Sequence, residues 1–151
     1  MLFQCLNLGK FSEYKRISAI HFQHTYRQSS KVNYNVYISN LAIGEINNCS
    51  QSKKNILYDY LSQISFNSVT SSDEAIEIAH QIIKQGILNQ KSFDDCLYLG
   101  MAVSNECDIV VSWDFKHMIN IKTIHGVRSI SIANGCKMID IYHPTHYKLI
   151  Q

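Results

Sequence analysis

The stretch that most constrains this chain is residues 107–117, CDIVVSWDFKH, where a short apolar run gives way abruptly to an acid and two bases. Asp108-Ile109-Val110-Val111 is rich in β-branched residues and has no helical periodicity. That is the pattern of a strand covered on both faces in a parallel sheet. In open α/β sheets, ligands bind just beyond the carboxyl ends of such strands, which puts Asp114 where chemistry would be done. A lone Asp after a strand also has an ordinary use as a turn or cap residue.

The rest of the chain alternates in the same way. Val36-Tyr37-Ile38 reads as a strand, and Ser39 as the N-cap of a short helix over 40–47 that carries Glu45. Residues 53–64 repeat apolar side chains at Ile56, Leu57, Tyr60, Leu61 and Ile64, the spacing of one buried helical face. A strand is expected over 65–70, then a helix opened by a capping box from Ser71 to Glu74 and closed at Gly86. Ser92 is the expected N-cap of a helix over 92–105, with Asp94 and Asp95 in its first turn. The pattern further predicts a strand over 107–112, a mixed helix and loop around Gly126, and a last strand over 137–142 halted by Pro144. A short helix over 18–28 completes the reading. Strands and helices alternating at these lengths imply a single-domain α/β/α sandwich with a mostly parallel sheet.

Composition narrows the function classes. With 151 residues, the chain has room for one domain with a real core. A formal charge of +2 is far from the footprint of a nucleic-acid coat protein, though it permits transient nucleic-acid contact. Cysteines 5, 49, 96, 107 and 136 are odd in number and lack CxxC spacing, so they read as reduced core residues rather than a disulfide or zinc framework. That reading points to the cytoplasm. No segment approaches membrane-spanning length, and the N-terminus lacks the regions of a signal peptide.

Three carboxylates stand at structurally parallel places: Glu45 in a helix after a strand, Asp95 in a helix's first turn, and Asp114 after a strand. Crowded carboxylates repel one another, and burial raises the penalty, so a divalent cation is the natural partner of such a cluster. Mg²⁺ or Mn²⁺ suits all-oxygen ligands and can acidify a bound water for phosphodiester cleavage. Each acid also has a structural role open to it. Glu45 can be a solvated helix residue, and Asp95 can reach back to the helix N-terminus as the third residue after Ser92. Asp94 competes with Asp95, one step away on the same turn.

Residues 34–144 also resemble a PIN domain of the bacterial VapC-type toxin group, over roughly three quarters of the chain. Tyr37-Ile38-Ser39 followed by Ala42, Ile43 and Glu45-Ile46 matches that family's strand-to-helix segment, with its acid on Glu45. The run from Phe93 to Ala102, FDDCLYLGMA, matches the helix in which an Asp followed by a small residue carries the next acid, and assigns Asp95 over Asp94. Residues 107–117 match the strand that ends in serine, tryptophan, Asn or Asp, phenylalanine, lysine and histidine. Gly126, Gly135 and the closing run Ile139-Asp140-Ile141-Tyr142-His143-Pro144 complete the match. The resemblance implies a small Mg²⁺-dependent ribonuclease with Glu45, Asp95 and Asp114 as metal ligands and catalytic acids. It further implies RNA as substrate and a cognate antitoxin as partner, with a homodimer left open.

Two departures from the family pattern bear on that expectation. Family members begin with a strand ending in an Asp followed by Thr or Ser, which supplies the first metal ligand, whereas residues 1–35 contain Glu13 as their sole acid. Asn7 is the nearest substitute, and an amide oxygen brings no negative charge. Tyr98 stands where the family commonly has His. The chain therefore divides into residues 1–33, a degenerate or truncated N-terminal segment, and residues 34–151, the PIN-like domain. The expected activity is low or absent, and the alternative is a non-catalytic PIN-like module that binds antitoxin or RNA. Lys116 and His117 are candidates for RNA phosphate contact or for a solvated loop. Trp113 and Phe115 are candidates for base stacking, with core packing the stronger reading for Trp113. Histidines 21, 24, 80, 125, 143 and 146 share no metal spacing.

Overall fold

Among the described residues, five short strands, all parallel, form one sheet through the centre of the fold. The structure is a computed structural model and describes residues 2–4, 36–112, 114 and 116–143. In chain order the elements are β1 (Leu2–Gln4), β2 (Val36–Ser39), α1 (Asn40–Asn47), α2 (Gln51–Leu61), β3 (Asn67–Val69) and α3 (Asp73–Lys84). A 3₁₀ turn (Gln90–Ser92) then leads into α4 (Phe93–Ser104), β4 (Ile109–Val111), α5 (Ile121–Ala133) and β5 (Asp140–Tyr142). This is a mixed α/β fold, as the alternating pattern predicts.

The sheet is covered on both sides at β4. Adjacent residues of a strand point to opposite faces, and Val110 and Val111 are both buried. β1 pairs with β2 on one side and β4 on the other, with Gln4 opposite Val111, so the segment 2–4 is the middle of the sheet. The segment thus forms a central strand of three residues, while Asn7 lies outside the described residues. From β1 the chain first builds outward through β2 to β3, then crosses to β4 and builds the other way to β5. The strand order therefore reverses between β1 and β4, and the crevice at their carboxyl ends is the place where such sheets bind ligands.

The α4 sequence is apolar nearly all round, and such a helix must be buried. Its residues from Asp95 through Val103 are all buried. Tyr98, Leu99 and Met101 are among the largest side chains wholly removed from solvent, each stabilising the fold by roughly 1.5–3 kcal/mol relative to exposure. α4 lies against α3 at close range because Gly100 has no side chain: a Cβ there would collide with the Ala75 carbonyl.

Several local expectations need correction. The cap of α3 is Ser72 rather than Ser71, its side chain accepting from the Ala75 N–H at 3.1 Å. α2 begins and ends earlier than residues 53–64, with Leu57 and Leu61 buried and Ile56 exposed. The region around Gly126 is no loop: α5 runs through it unbroken from its Asn120 cap. A Cβ on Gly126 would stand 2.6 Å from Ile87 side-chain carbons, so this glycine serves close packing and not a chain break. The predicted strands over 65–70, 107–112 and 137–142 shrink to three residues each. The predicted helix over 18–28 and Pro144 lie outside the described residues.

Candidate metal centre

The site begins where β4 ends. Ser112 is fully buried, and its N–H donates to the Tyr142 carbonyl at 3.0 Å, prolonging the β4–β5 ladder by one bond. Its hydroxyl accepts from the Asp114 N–H at 3.0 Å. Asp114 then turns the chain back on itself: its Oδ1 accepts from the backbone N–H groups of Lys116 and His117, each at 2.8 Å. The turn-capping role open to Asp114 is therefore real, but it engages only one carboxylate oxygen in these bonds. The other, Oδ2, lies 3.3 Å from His117 Nδ1.

His117 is anchored from behind. Its carbonyl accepts from the Thr123 hydroxyl at 2.6 Å and from the Asn120 side-chain amide at 3.0 Å. Asn120 is itself the cap of α5, accepting from the Thr123 N–H at 2.9 Å. The helix cap thus fixes the backbone of His117, and the imidazole reaches forward to Asp95. Nδ1 is 3.1 Å from Asp95 Oδ2.

Asp95 enters from the first turn of α4 and is buried, whereas its neighbour Asp94 is exposed. Ser92 makes no side-chain cap bond, so the capping-box geometry that would occupy Asp95 is not built. Burial, and after it the negative charge of Asp114, pushes the Asp95 carboxyl above its ordinary pKa, with His117 pulling the other way. Asp95, Asp114 and His117 together offer three ligand atoms that all lie within 4.8 Å of one another. The side chains of His117, Asp95 and Asp114 keep 24%, 11% and 20% of their surface exposed.

Glu45 does not join that compact group. Its Oε1 accepts from the Tyr98 hydroxyl at 3.1 Å. Tyr98 lies three residues after Asp95 on α4, hence on the same helical face. Tyr98 therefore ties Glu45 to the helix that carries Asp95. His117, for which the sequence offers a loop position or a phosphate contact, joins the group. The available signal was its position three residues after Asp114, within reach of a turn that folds back. Trp113 and Phe115 lie outside the described residues. Lys116 is exposed.

Cys96 and Cys107 offer no rival chemistry. Burial pushes the thiols of Cys96 and Cys107 up to about 12, so both stay protonated and poorly nucleophilic. No protein-family model matches this chain, and no curated protein matches it.

Proposed function

We propose that this chain is a PIN-like, toxin-type endoribonuclease that cleaves RNA with a divalent cation, Mg²⁺ or Mn²⁺, held at the carboxyl edge of its sheet. The observation that carries the reading is the meeting of Asp95, Asp114 and His117 within 4.8 Å, on a parallel sheet whose strand order reverses beside β4. The resemblance implies that the chain begins with a strand, and β1, in mid-sheet, supports the reading.

The donor set fits a cation. Asp95 is buried next to a second carboxylate, an arrangement whose charge is costly until something positive joins it. A cation held there would acidify a bound water and neutralise a phosphate under attack. Asp95 and Asp114 would hold the cation, the second oxygen of Asp114 being the one its turn leaves out of the bonds to Lys116 and His117, and Glu45 would ligate through a water. Lys116, exposed beside the site, is available as a point charge for RNA phosphate.

One observation favours a second reading, a non-catalytic module that binds RNA or a cognate antitoxin. Residues 1–35 hold no Asp, so the charge of the family's first ligand is missing. Among the described residues no helix is long and apolar enough to cross a membrane. The deciding experiment is cleavage of a single-stranded RNA pool with Mg²⁺ or Mn²⁺ by the chain and by Asp114→Asn. Weak, metal-dependent turnover that drops about a hundredfold or more in the variant is expected, since an electrostatic contributor of this kind is commonly worth that much. No turnover with either metal, together with retained RNA or antitoxin binding, would establish the second reading. Equal turnover in both proteins would remove Asp114 from the mechanism.

A further inference from the structure

We draw no further inference here: the strongest candidate, the exposed face of α5 that carries Ile121 and Ile132 at its two ends with Met138 beyond it, is an unpartnered apolar face, and nothing in the structure shows what covers it.

Discussion

Asp95 carries the tension of the site in a single side chain. Its carboxyl is held above its ordinary pKa first by burial and then by Asp114. The folded chain therefore holds that proton more tightly than the unfolded chain does. The stability Asp95 contributes is whole below the unfolded aspartate range and is lost as pH rises through the higher native value. Without metal, stability should accordingly fall across that window, and Asp95→Asn should flatten this part of the profile and leave the neutral-pH protein at least as stable as the parent. With Mn²⁺ the order should reverse, because the parent gains binding energy that the variant cannot. Urea unfolding between pH 4 and pH 8, with and without Mn²⁺, measures both effects. A variant less stable than the parent at neutral pH without metal would mean that the His117 bond outweighs the burial penalty. Burial is also what separates Asp95 from Asp94, and the sequence could distinguish the two only through family resemblance. The helical period alone leaves both in the first turn, one step apart.

At the scale of elements, glycine positions show where a sequence can be read and where it cannot. Gly86 ends α3 with φ +67°, the left-handed backbone expected of a helix terminator. Gly126 carries the same letter and a different meaning, since it lies inside α5 and makes room for Ile87, a residue 39 positions earlier. Nothing local announces such a contact. The one-residue shift of the α3 cap from Ser71 to Ser72 has a similar origin, because two adjacent serines offer the same hydroxyl and only the helix register chooses between them. Local signals nevertheless sufficed for β2, the Ser39 cap and α1, where a β-branched run, a capping hydroxyl and the helix follow without a gap. The Asp95–His117 contact was illegible for the same reason as the Gly126 packing, since its partners meet only after β4 has joined the sheet. Glycines also supply a paired prediction. Gly44 sits in α1 with nothing within 4 Å of an added Cβ, so Gly44→Ala should stabilise by about 0.5–1 kcal/mol through helix propensity. Gly100→Ala should instead cost about 3 kcal/mol or more, because the clash is with the Ala75 backbone and α3 and α4 must part. Chemical denaturation of the two variants checks the contrast, and equal effects would mean that the α3–α4 contact is not as close as described.

The whole molecule depends on its shortest and least obvious part. β1 has three residues, yet it supplies the pairing between the β2–β3 half of the sheet and the β4–β5 half. Composition gives little warning of this, since Leu2-Phe3-Gln4 is too brief to show a period and is separated from β2 by a long intervening segment. Removing it would leave the inner edges of β2 and β4 with backbone N–H and C=O groups that have lost their partners in the middle of the fold. It would also open the crevice beside β4, where Asp114 begins its turn. A chain started at residue 34 keeps the residues that resemble the family and all three members of the Asp95–Asp114–His117 group, so it isolates the contribution of the central strand. That chain should lose the single cooperative urea transition of the parent, bind a hydrophobic dye, and show no saturable stabilisation by Mn²⁺. By contrast, truncation after residue 139 removes β5, an edge strand bonded on one side, and should lower stability while preserving a cooperative transition. If the chain from residue 34 unfolds cooperatively at the parent's midpoint, β1 is dispensable and residues 34–151 form a domain by themselves.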